Sequence, residues 1–412
     1  MNLDEIAQQE GAEVIKSQPT LFDGLRSTMT EAIELTAQSL RAFGAGYDDW
    51  VIAYSGGKDS SAVASLVPQL IANGSIPAPK SLTVLYADTR LELPPLQNSA
   101  MAMLEHLRGM GCDCQVVLPP MEDRFFVYML GRGVPPPSNT FRWCTSQIKI
   151  EPMMEALKDL RERRGKKLLM LTGVRLGESA QRDARIALSC GKNGAECGQG
   201  WFQQTTPEAI ADTLAPILHW RVCFVWKWLR FWAPQGGFPT ERVADAYGGE
   251  EAEEINARTG CVGCNLASKD TALETLLLDP RWQYLQPLMR LRPLWAELKK
   301  PHNRLRKVAE RTKGGKLAKN QGRLGPLTME ARRWGLQQVM DIQGEINVGA
   351  RACGDPEYLL INDEEREAIE QMIAANVWPQ KWDGSEQTGD VPFMEMDQDG
   401  FKQGLLMEAL HD

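Results

Sequence analysis

The sequence contains no long hydrophobic run. None of its apolar segments approaches the ~20 residues that a membrane-spanning helix needs, so no membrane helix is predicted among its 412 residues. Residues 1–7 are acidic and lack the basic start and apolar core of an export signal. These absences predict a cytoplasmic protein that makes no membrane contact.

The chain also lacks an even set of cysteines. Nine are present, and an odd number in a large chain without an export signal argues against a disulfide framework. Thiols in such a chain serve as metal ligands, catalytic groups or core residues. Cys112 and Cys114 are separated by one residue, which is a poor spacing for tetrahedral chelation, so we interpret these two as incidental.

Charge is distributed unevenly along the chain. The composition, 43% hydrophobic and 24% charged, is typical of a globular protein, and 412 residues are enough for two or three domains. The net charge is −8, yet residues 281–333 hold 15 Lys or Arg against three Glu and carry +12, so the rest carries −20. A basic segment inside an acidic protein predicts contact with a polyanion, and a solvated basic face is the alternative.

The most informative stretch is residues 54–60, Tyr-Ser-Gly-Gly-Lys-Asp-Ser. The apolar run 50–54 predicts a buried strand, and residues 61–67 predict the start of a helix. A strand, a glycine turn and a helix N-terminus gather backbone N–H groups around an anion. Glycine lets the backbone close on a phosphate. The candidate nucleotide-binding residues are Ser55, Gly56, Gly57, Lys58, Asp59, Ser60 and Ser61.

This stretch is not a Walker A loop, because Ile52 occupies the position of the first glycine and Asp59 follows the lysine. It resembles instead the Ser-Gly-Gly-Lys-Asp-Ser pyrophosphate loop (PP-loop) of the ATP-pyrophosphatase and PAPS-reductase group. The resemblance implies an α/β fold with a parallel sheet, like that of the adenine nucleotide alpha hydrolases. It also implies an enzyme that cleaves ATP between its α and β phosphates or binds a related adenine nucleotide.

A second predicted strand, residues 81–87, ends in a polar motif. Residues 88–94 resemble the Asp-Thr-x-x-Glu-x-Pro segment of the PAPS-reductase group. Ligands of open parallel sheets bind beyond the carboxyl ends of the strands. Asp88 and Asp59 are therefore candidate Mg²⁺ ligands, and a polar loop without a ligand is the alternative.

A third strand, predicted within residues 166–175, leads into Gly-Val-Arg-Leu-Gly-Glu-Ser-Ala-Gln-Arg. This resembles the Gly-x-Arg-x-x-Glu-Ser-x-x-Arg motif of the same enzymes. The arginines would neutralise phosphate oxygens, which a guanidinium group can contact through two N–H groups. The glutamate would orient one of them or a metal. The candidate residues here are Gly173, Arg175, Glu178 and Arg182, and the predicted catalytic set is Lys58, Asp59, Arg175 and Arg182.

Four cysteines form a candidate metal site. Residues 260–264, Gly-Cys-Val-Gly-Cys, form a knuckle that can place two thiolates on one metal. A third thiol lies in an Arg-Trp-Cys-Thr context, and a fourth lies in a glycine-rich loop, where Cys190 is an alternative to Cys197. Four thiolates suit a [4Fe–4S] cluster or structural zinc. The candidate ligands are Cys144, Cys197, Cys261 and Cys264.

The combined pattern, over roughly residues 45–270, resembles the DndC and SspD families of DNA phosphorothioation. The resemblance implies ATP and Mg²⁺ as cofactors, a [4Fe–4S] cluster, and ATP-driven activation of a nucleic-acid phosphate for sulfur insertion. It also implies DNA, a cysteine desulfurase as sulfur donor and other phosphorothioation proteins as partners, and it leaves a homo-oligomer open. Sulfonucleotide reductases share the loop but use a C-terminal Glu-Cys-Gly-x-His nucleophile, whereas the last cysteine here, Cys353, lacks that Glu and His.

Two further functions and the domain limits stay open at this level. A tRNA thiolation enzyme would use the same loop and basic segment, and a non-catalytic, nucleotide-gated DNA-binding component would need no complete loop. The predicted organisation is an N-terminal helical segment (1–48), a PP-loop core (49–235), a cysteine-knuckle and basic helical region (236–350), and an acidic C-terminal tail (351–412).

Overall fold

The computed structural model describes residues 28–177, 201–203, 209–247, 260–308, 322–392, 395–397 and 400–402, with residues 310, 316, 317 and 320. A sheet in the strand order β3-β2-β1-β4-β6-β5 forms its centre. Five strands run parallel, and β5 pairs antiparallel with β6. The predicted α/β fold with a parallel sheet is confirmed. The strands are β1 (Asp49–Tyr54), β2 (Ser81–Ala87), β3 (Asp113–Val117), β4 (Leu168–Leu171), β5 (Trp201–Gln203) and β6 (Ala211–Ala215).

Helices connect and cover these strands. The main helices of the first half are α1 (Met29–Gly44), α2 (Lys58–Ala72), α3 (Pro94–Gly109), α4 (Glu151–Arg164) and α5 (Val222–Lys227). A π-turn at Ser146–Ile150 precedes α4, and another at Val127–Gly131 follows β3. The helix predicted after the glycine turn is confirmed as α2, which follows the buried strand β1 and packs apolar residues into the core. The helix α3 follows β2 and also packs apolar residues into the core.

The two faces of the sheet bury different residues of the same strand, since successive side chains of a strand point to opposite sides. Ile52 belongs to the main core, whereas Val51 packs on the other face with Leu157 and Leu160 of α4. Both β1 residues are fully buried. This double burial explains why β1 reads as a continuous apolar run rather than an alternating one.

The second half adds short helices and strands to this core. They are α6 (Thr271–Leu276), the 3₁₀ helix Pro280–Arg290, α7 (Leu291–Leu298), α8 (Met329–Cys353) and α9 (Asp363–Ala374), with strands β7 (Arg304–Arg306), β8 (Leu324–Leu327), β9 (Gln387–Thr388), β10 (Glu395–Asp397) and β11 (Gly400–Lys402). Strands β8, β7 and β9 form a separate small sheet. The middle strand, β7, pairs antiparallel with β8 on one side and with β9 on the other.

The tryptophans fill the core. Five of those in the middle of the chain are almost completely buried: Trp220, Trp226, Trp228, Trp282 and Trp295. Several lie edge-on to neighbouring rings, as aromatic side chains do in well-packed interiors. These five tryptophans are therefore core residues. Across the described part of the chain, no helix combines the length and apolar character needed to cross a bilayer.

Candidate functional site

A cleft of about 710 Å³ opens at the carboxyl ends of β1 and β4. The strand order reverses between these two strands, because β2 and β3 lie on one side of β1 and β4 lies on the other. Loops diverge at such a reversal and leave a crevice for a ligand. The cleft has the size of small-molecule sites in proteins. Its walls come from the loop after β1, the segment 173–177 after β4, the segment 218–222 after β6, and Tyr247.

The loop after β1 holds its own shape through serine hydroxyls. The Ser55 N–H donates to Ser60 Oγ over 3.2 Å, and the Ser60 hydroxyl donates to the Gly57 carbonyl over 3.0 Å. Gly56 has a φ of +73°, a left-handed conformation that glycine adopts without strain. These bonds keep a tight turn between strand and helix. Of the predicted loop residues, Ser55, Gly57, Lys58, Asp59 and Ser60 line the cleft.

The start of α2 points backbone N–H groups away from the helix body. Gly57 is the N-cap, and the first intrahelical bond runs from the Ser61 N–H to the Gly57 carbonyl at 2.9 Å. The N–H groups of residues 58–60 therefore precede the first intrahelical donor and have no acceptor within the helix, as at any helix start. Such a terminus carries partial positive charge and favours an anion.

A carboxylate between two cations forms the charged centre of the cleft. Asp59 Oδ2 lies 3.1 Å from Lys58 Nζ, and Asp59 Oδ1 lies 2.5 Å from Arg175 Nε. The Arg175 Nη1 group also donates to the Trp220 carbonyl over 3.3 Å. All three charged side chains are at least 85% buried. Two cations against one carboxylate leave excess positive charge beside the helix start, which suits a phosphate group.

Gly173 allows β4 to approach this centre. A Cβ atom at Gly173 would lie 2.7 Å from the Asp59 carbonyl carbon and the Ser60 nitrogen, closer than non-bonded atoms come. Any side chain would push segment 173–177 away from the start of α2. The glycine is thus required for the Arg175 guanidinium to reach Asp59.

Tyr247 completes the cleft and is not among the residues predicted from the sequence. Its hydroxyl oxygen accepts the Lys58 backbone N–H at 3.2 Å, and the Lys58 ammonium lies 5.2 Å from the centre of its ring. The tyrosine sits at the end of a 3₁₀ helix, Glu241–Tyr247, 189 residues away in the chain. It belongs to no recognisable motif, so no sequence signal pointed to it.

Two predicted residues face away from the cleft. The Ser61 side chain is fully buried, and its hydroxyl pairs with the Tyr54 hydroxyl at 3.4 Å. Asp88 is 6% exposed and its Oδ1 accepts the Arg90 N–H at 2.8 Å. Within the described residues, neither lines the cleft that Asp59 lines. The pairing of Asp59 with Asp88 around Mg²⁺ therefore stays a prediction.

The loop after β2 is built around Glu92. Its carboxylate accepts the Thr89 hydroxyl at 2.7 Å and the backbone N–H groups of Thr89 and Leu91 at 3.3 and 3.2 Å. Burial raises the pKa of this carboxyl, and the nearby Asp88 charge raises it further. The Asp-Thr-x-x-Glu pattern thus encodes a self-bonded loop. We call residues 88–94 the β2 loop.

The cysteine knuckle is attached to the β2 loop. The Val262 N–H donates to the Leu91 carbonyl over 2.7 Å. Burial raises the pKa of the Cys144 and Cys261 thiols, and the neighbouring Cys264 raises both further, so these three predicted ligands lie in one region of the structure. In the part of the chain that the structure describes, no three His, Cys, Asp or Glu side chains are placed as a ready set of metal donors. The donor type nonetheless fits a thiolate-bound metal or cluster.

Four predicted positions lie outside the described residues. They are Glu178, Arg182, Cys190 and Cys197. Cys112 and Cys114 are half-buried on the edge strand side of the sheet, where burial raises the pKa of the Cys114 thiol to about 11. Such a thiol stays protonated at neutral pH, which agrees with its interpretation as incidental.

His219 lines the cleft as a neutral side chain. Its Nε2 lies 3.0 Å from the Ala32 carbonyl, and burial lowers its pKa from the ordinary value of 6.5. A ring nitrogen facing a carbonyl oxygen must carry the proton, so the ring donates through Nε2. This position fits the interpretation of His219 as a structural histidine.

The C-terminal segment packs against the β2 loop. Glu365 of α9 is 2% exposed and lies 3.1 Å from Arg124 Nη1 and 3.7 Å from Arg90 Nε. The Tyr358 hydroxyl donates to the Glu92 carbonyl over 2.9 Å. Both residues belong to the predicted acidic C-terminal tail (351–412). Tyr358 and Glu365 form part of the wall behind the β2 loop.

Several basic residues of segment 281–333 stabilise the fold. Arg332 is fully buried and donates to the carbonyls of Leu130, Gly131 and Val377. Arg304 is 9% exposed and donates to two carbonyls of β8. Burial lowers the pKa of both guanidinium groups to about 10. The charge of this segment thus overstates the positive surface available to a polyanion.

Comparison with known proteins finds similarity over the core of the chain. Residues 49–231 match the family model described as the phosphoadenosine phosphosulfate reductase domain. This segment is similar to that domain. An uncharacterised protein of Methanocaldococcus jannaschii is 29% identical over 177 residues, which cover 43% of this chain and 34% of that protein. The chain thus spans about a third of the length of this curated relative.

Two solved structures overlap the chain at low similarity. The phosphoadenylyl-sulfate (PAPS) reductase of Candida auris, a phosphate complex, is 12% identical with a TM-score of 0.33, and the match covers 51% of this chain and 83% of that one. The U34-tRNA thiolase NcsA of Methanococcus maripaludis, with its [4Fe-4S] cluster, is 13% identical with a TM-score of 0.33, and the match covers 66% of this chain and 82% of that one.

Proposed function

We propose that this chain is an ATP pyrophosphatase that activates a nucleic-acid phosphate for sulfur insertion, as in the DndC and SspD families of DNA phosphorothioation. One observation carries the proposal: Lys58, Asp59 and Arg175 converge on the start of α2 at a strand-order reversal. A phosphate bound there meets backbone N–H groups and two cations at once. The similarity of residues 49–231 to a PAPS reductase domain supports a nucleotide at this place.

The residues suggest how the reaction would proceed. The β and γ phosphates would lie at the helix start, with Lys58 and Arg175 sharing their charge between Asp59 and the phosphate oxygens. A nucleic-acid phosphate oxygen would attack the α-phosphorus, and the P–O bond to pyrophosphate would break. Charge grows on the leaving pyrophosphate in this step, and fixed cations in a buried cleft stabilise it strongly. The outer sulfur of a persulfide from a cysteine desulfurase would then attack the activated nucleic-acid phosphorus and displace AMP. A reducing thiol would cleave the resulting S–S bond, which leaves a phosphorothioate and a disulfide of that thiol with the donor cysteine.

The cysteine group would hold a cluster. Cys144, Cys261 and Cys264 supply thiol donors from two chain segments that meet beside the β2 loop. A bound [4Fe–4S] cluster would supply a site for sulfur transfer or brace the two segments. Zinc would use the same thiolates, and the absorbance of anaerobically purified protein near 400 nm distinguishes iron from zinc.

ATP labelled at the α-phosphate tests the activity. With Mg²⁺ and DNA, we expect AMP and pyrophosphate as products. Lys58→Ala should lower kcat/KM by about 100-fold, the usual cost of one charge-stabilising group. Lys80→Ala is the matched control, because the Lys80 side chain is 73% exposed and pairs only at the surface. ATP that stays intact, or ADP as the product, would refute the proposal.

A sulfonucleotide reductase is the second candidate, since the matching domain is described as a PAPS reductase. Such an enzyme needs a cysteine nucleophile that reaches the nucleotide. Cys353, the last cysteine of the chain, is exposed at the end of α8 and does not line the cleft. Thiol-dependent release of sulfite from PAPS by the purified protein would favour this candidate over the first.

A further inference from the structure

An exposed tight turn at residues 138–141 lies beside the cysteine group. Ser138 and Phe141 exchange two backbone hydrogen bonds of 3.2 and 3.0 Å, so Asn139 and Thr140 form the tip. The Phe141 side chain is 43% exposed. A single exposed aromatic ring is common on protein surfaces, so its meaning depends on what surrounds it.

The turn is rigid. The Arg142 guanidinium donates to Asn139 Oδ1 over 2.9 Å, and the Trp143 indole N–H donates to the Pro135 carbonyl over 3.1 Å. The Trp143 ring stacks on Phe125 with centroids 5.3 Å apart. A ring on a fixed turn can bind a flat ligand without the entropy cost of ordering a loop.

The turn is joined to the cysteine group. Asn265, which follows Cys264, donates its side-chain N–H to the Pro137 carbonyl over 2.9 Å. Cys144 lies three residues after Phe141 and interacts with Cys264. The exposed ring therefore stands at the rim of the thiol group rather than on a remote surface.

The rim carries two exposed cations. They are Arg142 and Lys149, and the charges of both Glu92 and Lys149 act on the Cys261 thiol. Ile150, 52% exposed, adds apolar surface next to Lys149. The exposed Glu151 accepts the Ser146 hydroxyl at 2.8 Å and keeps its negative charge. Exposed aromatic and cationic side chains on one short segment are the types of residue with which proteins bind single-stranded nucleic acid.

We propose that Phe141, Arg142 and Lys149 form a docking surface for a single-stranded segment of DNA, with one base stacked on the Phe141 ring. The choice of DNA rests on the proposed function. A base can stack on a protein ring only when it has left the base stack of a duplex. The cations would contact the adjoining phosphates, which brings a backbone phosphate next to the thiols. The substrate of the reaction would then be an unpaired stretch of DNA.

Fluorescence anisotropy of a short labelled oligonucleotide with the full-length protein tests this surface. Phe141→Ala should weaken binding of the single strand about tenfold, the effect of one lost base–aromatic stack, and Phe141→Trp should restore it. Phe231→Ala is the matched control, because Phe231 is 55% exposed on a different segment, and it should change affinity by about twofold at most. Arg142→Ala should reduce the salt dependence of binding by about one phosphate contact.

Three outcomes would overturn the inference. They are equal affinity of Phe141→Ala and wild type, a larger loss for Phe231→Ala than for Phe141→Ala, and tighter binding of duplex DNA or of RNA of the same sequence than of single-stranded DNA. Assay of ATP cleavage by the wild-type protein separates this inference from the proposed function. If DNA binding depends on Phe141 but ATP is not cleaved, the docking surface is supported and the proposed activity is refuted. If ATP is cleaved but DNA binding does not depend on Phe141, the activity is supported and the docking surface is refuted.

Discussion

Substitution of Glu365 by Gln removes the negative charge that two buried arginines share. Arg124 and Arg90 both point at this carboxylate, and their side chains are only 14% and 21% exposed. Removal of one partner from a buried ion pair costs 3–5 kcal/mol, because the other charge is left without compensation. Both arginines keep some contact with water, so we expect about 3 kcal/mol, at the lower end of that range.

The matched control lies on the same helix. Glu370 pairs with Arg366 at the surface, where both side chains are about half exposed. Exposed pairs of this kind contribute little, so Glu370→Gln should change the free energy of unfolding by less than about 0.5 kcal/mol. Comparison of the two variants separates the effect of the buried charge from any effect on the propensity of α9.

Urea denaturation followed by tryptophan fluorescence measures both variants. Glu365→Gln should lower the urea midpoint with little change in slope. In a double-mutant cycle with Arg124→Gln, the two losses should not add, and the coupling energy should exceed about 1 kcal/mol. Equal midpoints for Glu365→Gln and Glu370→Gln, or fully additive losses, would refute the view that this carboxylate fixes the wall behind the β2 loop.

Three further variants test other contacts. Gly173→Ala should weaken ATP binding at least about tenfold in calorimetry, because the added Cβ displaces the cleft wall. A Cβ at Gly46 would meet no atom within 4 Å, so Gly46→Ala should bind ATP as the wild type does. Arg332→Met should lower the free energy of unfolding by about 3 kcal/mol, because buried carbonyls lose their donor. Arg333 is exposed, so Arg333→Met should lower it by less than about 0.5 kcal/mol. Burial lowers the pKa of His219, so near its ordinary pKa of 6.5 the unfolded chain binds more protons than the folded chain. The free energy of unfolding should therefore fall as the pH drops below 6.5. His219→Asn should make the melting temperature less dependent on pH in that range.

Much of the geometry of the cleft could be predicted from the sequence because its key parts are local. A buried strand, two glycines and a helix start follow one another within residues 50–67. Each of them has a short-range signal: an apolar run, a turn residue and a helical spacing. Arg175 was found through its own motif after β4, and its ion pair with Asp59 spans 116 residues.

The parts that could not be predicted depend on contacts between distant segments. Tyr247 reaches the Lys58 N–H across 189 residues, and Glu365 reaches Arg124 across 241. Neither residue has a motif around it, and composition gave the wrong impression of Arg332, which looks like surface charge in the sequence but is fully buried. Charge counts along a chain do not distinguish a guanidinium that binds ligands from one that caps buried carbonyls.

The β2 loop links the three parts of the molecule that the proposed reaction would need. Its first residues follow the strand beside β1, its Leu91 carbonyl binds the cysteine knuckle, and its Glu92 carbonyl binds Tyr358 of the C-terminal segment. Glu92 holds the loop in one shape through three hydrogen bonds. The cysteine knuckle and the C-terminal segment are therefore both held to the carboxyl end of β2 by direct hydrogen bonds to the same loop.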